Sequence, residues 1–304
     1  MPMTTLLDIA KANNSDAVAG LIDEVSKVTP EITVGAARTI KGLNYKTLIR
    51  TALPTVGFRN ANEGSAAVKG TYENRLVETY IMNPRWECDK AVADAYEDGA
   101  NAYIAMEAET ILNASMIGLG GQFYYGKADD GSKGFPGLLA SISSAYTIDA
   151  GGTTEDTCSS LWAVRFGVKD VTWVWGQDGN LGLSDVSLAR LTDGSGNPFT
   201  GYVQEILARP GLQVGNARCI GRIKKLTEDS GKGLTDALIG SLLAKFPVGL
   251  PPTHFFASRR SIEQLRKSRT ATNATGQEAP IPTEVFGIPL LPTDAIKDTE
   301  KLAL

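Results

Sequence analysis

A chain of 304 residues, 42% hydrophobic and 21% charged, is long enough to bury one large or two modest cores. Its net charge of −4 and pI near 5.3 exclude an overall basic field that would draw it to nucleic acid or an anionic membrane. No stretch approaches the roughly 18 apolar residues of a membrane span, and Met1 to Asp8 lack the pattern of a secretory signal.

The first periodic segment follows Asn14 and Ser15, either of which can cap a helix. Val18, Leu21, Ile22, Val25 and Val28 recur at helical spacing, and Pro30 is expected to stop the run. A helix of this length is marginal alone, so its apolar stripe needs a surface, on its own domain or on a neighbouring copy. Residues 35–52 carry scattered lysine and arginine with little periodicity. Two strand-like runs follow, at 55–60 and 72–82, joined by a tip with glycine at both ends. On the second run Tyr72, Asn74, Leu76, Glu78, Tyr80 and Met82 line one face, and Glu73, Arg75, Val77, Thr79 and Ile81 the other. Neither face is cleanly apolar, and an isolated two-stranded ribbon is barely stable in water. The hairpin must lean on its own domain or on another chain.

Asn83-Pro84-Arg85-Trp86 predicts the start of a long helix running to residue 117, about 48 Å if unbroken at 1.5 Å per residue. Gly99 leaves open two helices in its place, and Gly118-Leu119-Gly120-Gly121 is expected to terminate it. Trp162, Val164 and Phe166 then alternate with Ala163 and Arg165 as in a strand, while Asp193-Gly194 and Gly196-Asn197 suit hairpin turns. Residues 233–246 read as an amphipathic helix through Leu234, Ala237, Leu238, Leu242 and Phe246, stopped by Pro247, Pro251 and Pro252. The chain closes with a strand at Phe255-Phe256-Ala257, a helix with a basic face, a polar loop, and a last strand broken by Gly287 and Pro289.

Several of these segments carry a family resemblance. Gln122-Phe123-Tyr124-Tyr125-Gly126 with Lys133-Gly134-Phe135-Pro136-Gly137-Leu138, then Ser160 to Gly167, Asp193 to Phe199, Gly211-Leu212-Gln213-Val214 before Cys219 to Ile223, and Val285 to Ile296 stand in order. Over residues 55–296 this succession resembles the major capsid proteins of tailed bacteriophages, in the podophage-type coat subfamily. The resemblance implies an α+β tailed-phage capsid fold. Its parts are an N-terminal arm (1–50), an extended hairpin loop (51–83), a peripheral domain with a spine helix (84–139 and 251–304) and an axial domain (140–250). It implies a structural major capsid protein that self-assembles as pentamers and hexamers into an icosahedral shell enclosing phage double-stranded DNA, in the virion capsid, assembled in the bacterial host cytoplasm. An encapsulin-like nanocompartment shell of the same fold is the alternative. The implied partners are other copies, a separate scaffolding protein, a portal, and a cement or decoration protein, and little or no cleavage of this chain is expected. DNA is touched only by weak non-specific contact, and no membrane is involved.

On the hairpin, Phe58, Arg59, Glu63, Val68, Lys69, Tyr72, Glu73, Arg75 and Glu78 are expected to form inter-subunit contacts. Lys69 also stands where some capsids of this fold join a lysine to a neighbour's asparagine, although nothing in the sequence identifies the asparagine or a catalytic carboxylate.

Enzymatic readings fail on physical grounds, so no catalytic, cofactor-binding or metal site is expected. Ser230-Gly231-Lys232-Gly233 lacks the first glycine and the hydroxyl residue of a phosphate loop and reads as a turn. Asp193 to Asn197 lacks the glycine and distal glutamate of a calcium loop. His254 is the only histidine and has no nucleophile elbow nearby. Cys88, Cys158 and Cys219 are odd in number, widely spaced and read as reduced structural thiols of a reducing compartment. Glu107 and Glu109 lie two apart on a helix and face different ways. The basic cluster Arg259, Arg260, Arg266, Lys267 and Arg269 reads first as a solvated helix face, next as charge for an adjacent subunit, and last as a DNA contact.

Overall fold

The computed structural model describes residues 27–127, 133–179, 182–273 and 277–303, and the helix expected after Asn14 and Ser15 lies outside them apart from Val28. Pro30 opens a helix where it was expected to end one. In α1 (Pro30–Val34) its fixed φ and missing N–H suit the first turn. β1 (Ala37–Thr39) and β2 (Asn44–Ala52) follow, in the stretch whose sequence showed little periodicity.

β2 pairs antiparallel with β3 (Thr71–Glu78), Asn44 opposite Glu78 and Arg50 opposite Tyr72. This is the hairpin, but its first strand is not at 55–60. Those residues lie in the 53–70 connection and form no strand. The strand sits upstream because Tyr45, Thr47 and Ile49 are half-buried while Asn44, Lys46, Leu48 and Arg50 are exposed, a period-2 pattern hidden by its polar members.

The long helix is also displaced. Residues Arg85–Asp89 form strand β4, with Trp86 and Cys88 buried in alternation with more exposed neighbours. A one-turn helix α2 (Lys90–Ala93) is capped by the Asp89 side chain. Gly99, at φ +87°, a conformation costly for residues with a Cβ, then introduces the spine helix α3 (Ala100–Tyr125). Its 26 residues span about 39 Å. The glycine run expected to end the helix lies inside it, and the helix stops at Gly126. Gly120 is there for close approach. A Cβ on it would stand 2.6 Å from Thr29 Cγ2, 2.7 Å from Glu31 Oε1 and 3.1 Å from the Ala295 Cβ.

Beyond a single turn, α4 (Leu138–Ser141), come β5 (Thr147–Asp149), β6 (Ser159–Val164), β7 (Val171–Trp175), β8 (Gly182–Leu183), β9 (Ser187–Thr192), β10 (Pro198–Leu207), β11 (Pro210–Val214) and β12 (Ile220–Leu226). After them stand α5 (Asp236–Leu243), β13 (His254–Ala257), α6 (Arg259–Ala271), β14 (Glu284–Val285) and β15 (Ile288–Pro292). The helix expected over 233–246 is shorter because Thr235 caps it, and Phe246 is buried beyond its end.

Six strands form the main sheet in the order β14-β15-β13-β6-β12-β5, with β6 antiparallel to both neighbours. Every residue of β6 is buried, and its alternation divides two cores. Trp162 and Val164 pack with Phe123 and Tyr124 of the spine helix. Leu161 and Ala163 pack with Leu242 of α5 and Leu265 of α6. A third cluster joins Trp86 and Cys88 of β4 to Tyr103 and Ile104 near the start of the spine helix. The β9–β10 hairpin turns where expected, with the Asp193 carboxylate accepting from the backbone of Ser195 and Asn197 and Gly196 at φ +86°.

The C-terminal segment is fastened by a buried ion pair. Arg222 Nη2 lies 3.0 Å from Glu300 Oε2, both side chains almost inaccessible. Ser160 and Tyr125 each donate a hydroxyl to the same carboxylate at 2.6 Å, and the guanidinium lies 5.1 Å from the Trp162 ring centroid.

The glycines of the spine helix give a paired test. Gly120→Ala should destabilise the chain by about 1–3 kcal/mol through overpacking. Gly118→Ala, where a Cβ meets nothing within 4 Å, should stabilise it by about 0.5–1 kcal/mol. Denaturant midpoints of the two variants check this, and equal effects would contradict the packing assigned to Gly120.

Candidate functional site

The ribbon of β2 and β3 is the part of the chain least able to stabilise itself, and its root shows how it is held. Thr79 donates to the Leu43 carbonyl at 2.9 Å, closing the ribbon's base, while Tyr80 donates to Pro210 at 2.8 Å and Met82 to Ala208 at 2.9 Å. Val77 is buried there, and Gly211 lets β11 approach, since a Cβ on it would meet the Glu78 carbonyl at 2.4 Å. Two side chains reach from the ribbon to the body. Arg75 Nη1 donates to the Val214 carbonyl at 3.1 Å, and the Tyr45 hydroxyl donates to Gln213 Oε1. The Arg38 guanidinium lies 4.6 Å from the Tyr45 ring centroid.

Beyond the root the ribbon leaves its body. Directly opposed residues share a face, so Lys46, Leu48 and Arg50 line up with Leu76, Asn74 and Tyr72. Leu48, Leu76 and Tyr72 are all exposed on that face. In the connection Leu53, Val56 and Val68 are exposed, and Phe58 is as accessible as in an extended chain, at 108%.

The expected contact residues divide accordingly. Phe58, Val68 and Tyr72 are exposed apolar groups on the ribbon or its tip. Lys69 and Glu73 are exposed, and neither joins an intrachain ion pair among the described residues. Arg59 and Glu63 bind each other's surroundings. Arg59 Nη1 donates to the Glu63 carbonyl at 2.5 Å, and Asn60 N donates to Glu63 Oε2 at 3.1 Å, so they shape the tip. Glu78 accepts weakly from the Tyr80 hydroxyl at 3.4 Å. Arg75 belongs to the root. The sequence-based set omitted Leu48, Leu53, Val56 and Leu76, and the alternation over 44–52 is the signal that would have found Leu48.

Between β2 and the body lies an open groove of about 1000 Å³, with Arg38, Arg50, Lys169 and Arg218 among its lining and no carboxylate. Exposed Leu48 and Leu53 share that lining.

The other tempting clusters are structural. On α6, Arg266 pairs with Glu263 at 2.8 Å and Glu278 at 3.1 Å, Arg269 with Asp236 at 2.7 Å, and Arg260 donates to the Thr157 carbonyl at 2.7 Å. Arg266 holds the Glu263 carboxyl below its ordinary range. These arginines therefore bind the chain to itself. His254 stacks on Phe256 with ring centroids 6.1 Å apart, and burial pushes its imidazole below the ordinary value. All three cysteines are buried and outside any disulfide, and burial pushes the Cys219 thiol up to about 12. Tyr103 donates to Glu107 at 2.7 Å, while Glu109 is exposed. Among the described residues no group of three histidine, cysteine or carboxylate side chains could hold a metal, and no helix is long and apolar enough to cross a membrane.

A sheet buried on both faces, a long spine helix and a cantilevered ribbon define the class of phage capsid subunits. The structure of bacteriophage Epsilon15 shares this fold, with a TM-score of 0.72 and 21% identity over 99% of this chain and 97% of that one. The chain belongs to the family described as major capsid protein GP7, whose model matches residues 11–303. It is thus a phage major capsid protein, with the α+β fold the motifs implied. More distant likeness extends to the capsid of Mycobacterium phage Adephagia (TM-score 0.49, 12% identity, 72% of this chain and 97% of that one). It also extends to the SrpI encapsulin of Synechococcus elongatus PCC 7942 (0.49, 7%, 73% and 95%). No curated protein sequence matches the chain. The family match favours the coat protein over the encapsulin alternative.

The ribbon root makes a prediction of its own. Arg75→Ala should cost about 1 kcal/mol of local stability, because a partly exposed charge-assisted hydrogen bond is lost. Hydrogen exchange should then quicken roughly fivefold across Thr71–Glu78 and stay unchanged in β6. Equal protection of the ribbon in both proteins would remove Arg75 from the root.

Proposed function

We propose that this major capsid protein self-assembles as pentamers and hexamers into an icosahedral shell enclosing double-stranded DNA, with the ribbon as the element that joins subunits. The observation that carries this reading is the row of exposed apolar side chains on an element without a core: Leu48, Leu53, Val56, Phe58, Val68 and Tyr72. Apolar area left in water by one subunit is removed from it by the next, at roughly 25 cal/mol per Å² before the costs of association. Arg59, Glu63, Lys69, Glu73 and Glu78 then set register around those anchors, each exposed pair contributing about 0–1 kcal/mol. A closed shell repeats every such contact, so weak pairs add up through multivalency.

On this reading the spine helix with 84–139 and 251–304 forms the peripheral domain, 140–250 the axial domain, and residues before the ribbon the arm. The hairpin boundary moves back to Asn44, the first residue of β2. The role is structural and not catalytic. The shell is that of the virion, built in the host cytoplasm with a separate scaffolding protein, a portal and a cement or decoration protein. Contact with DNA is weak and non-specific, since the cationic side chains of α6 are largely engaged within the chain.

Phe58→Asp and Glu73→Lys test the ribbon. Sedimentation should find particles lost or replaced by free subunits and capsomers. Denaturation of the unassembled chain should shift by no more than about 0.5 kcal/mol, as for other surface substitutions. Normal shells from both variants would overturn the assignment of the ribbon as the joining element.

A further inference from the structure

One buried ionisable group has no part in the ribbon or the main sheet. Glu31, on α1, is fully inaccessible, wedged against Gly120 of the spine helix and the C-terminal segment. Its Oε2 accepts from the Thr293 hydroxyl at 3.0 Å. Beside Thr293, the Tyr124 hydroxyl and the backbone of Glu31 itself lend the carboxyl weaker hydrogen bonding, and burial outweighs all three. A carboxylate would be badly housed here. Burying it without a counter-charge costs far more than burying a neutral acid, which can also donate its proton.

Among the described residues, the groups facing Glu31 from each packed element supply no cation. The spine helix presents Tyr124, whose own ionisation burial pushes far above its ordinary range, so it stays neutral. The C-terminal segment presents Thr293 and Asp294, and the negative charge of Asp294 disfavours a second one. β7 presents Trp173, whose indole N–H donates to the Glu31 carbonyl at 3.0 Å.

The same residues tie together parts distant in sequence. Val28 N donates to Asp294 Oδ2 at 2.8 Å, Asp294 N donates to the Val28 carbonyl at 3.0 Å, and Trp173 N donates to the Ala36 carbonyl at 2.7 Å. Residues 28–36 are thereby clamped between spine helix, axial strands and C-terminal segment, immediately before β1 and the ribbon.

We propose that Glu31 is a protonation latch: its neutral form docks the segment that leads into the ribbon, and its ionised form loosens that segment from the spine helix and the C-terminal loop. The sign follows from linkage. Burial, the leading cause, raises the Glu31 carboxyl from 4.5 to about 7 in the docked state. Docking is therefore fully stabilised below the unfolded value, weakens as pH rises through the interval from 4.5 to about 7, and levels off above it. Across that interval the equilibrium between docked and loosened forms shifts by roughly two orders of magnitude toward the loosened form.

Hydrogen exchange of the full chain, corrected for the intrinsic pH dependence of exchange, tests this. Protection of residues 27–36 should fall more than tenfold between pH 5.5 and 7.5 and then become flat, while β6 stays constant. In Glu31→Gln, which keeps shape and removes the titration, the profile should be flat throughout. Thr293→Val removes one donor that favours the ionised form, so its midpoint should move to higher pH, a readout that stands even if the glutamine variant folds poorly. A flat wild-type profile, an unchanged slope in Glu31→Gln, or loss of the slope only in Asp294→Asn would each overturn the latch.

Discussion

A two-stranded ribbon has no interior, and the rest of this subunit is arranged around that constraint. Each strand of β2 and β3 has one hydrogen-bonded neighbour and two faces, and the ribbon can cover neither face with its own residues. The body answers with a firm root. Backbone hydrogen bonds from Tyr80 and Met82 join the chain leaving the ribbon to the segment 208–210, and Arg75 and Tyr45 reach to β11. β11 in turn pairs with β7, whose Trp173 stacks on Phe123 at the end of the spine helix. A rigid base and an unsupported end make a lever, and a lever suits an element whose partner is another copy of the chain.

The sequence was most legible where burial is two-sided or turn chemistry is specific. Trp162 and Val164 alternating with Leu161 and Ala163 identify β6, and Asp193 to Asn197 identify the β9–β10 turn, because each position has one physical solution. It was least legible where a local signal competes with a tertiary one. Trp86 and Cys88 sit before an alanine-rich helical run, so a short strand merged into the helix expected to follow. The glycines at 118–121 carry the local signature of a helix end, but Gly120 serves the approach of α1 and the C-terminal segment, which no local pattern encodes.

The same reasoning explains the uneven reading of the ribbon. Its unusual character was visible because neither face of residues 72–82 is apolar enough for a core. Its register was not, because Asn44, Lys46 and Arg50 disguise a strand whose inward positions are only Tyr45, Thr47 and Ile49. Arg75, expected on sequence as a partner contact, has a role within the chain that no sequence pattern encodes: its guanidinium donates to a carbonyl of its own body.

Two buried carboxyl groups stand near the two ends of the described chain, and they are handled in opposite ways. Glu300 enters the protein with a full set of partners: Arg222, Ser160 and Tyr125. Removing one partner from such a pair costs about 3–5 kcal/mol, so the contact fixes the C-terminal segment in one position. Glu31 enters with hydroxyls of Thr293 and Tyr124 beside it, a neighbouring carboxylate and, among the described residues, no counter-charge. The segment it carries is held by shape and backbone hydrogen bonds against a carboxyl that resists ionisation. That segment feeds directly into β1 and then into the ribbon, so a fastening without a counter-charge stands next to the element proposed to join subunits. The C-terminal segment, packed against the same helix, is the fixed wall against which that fastening closes.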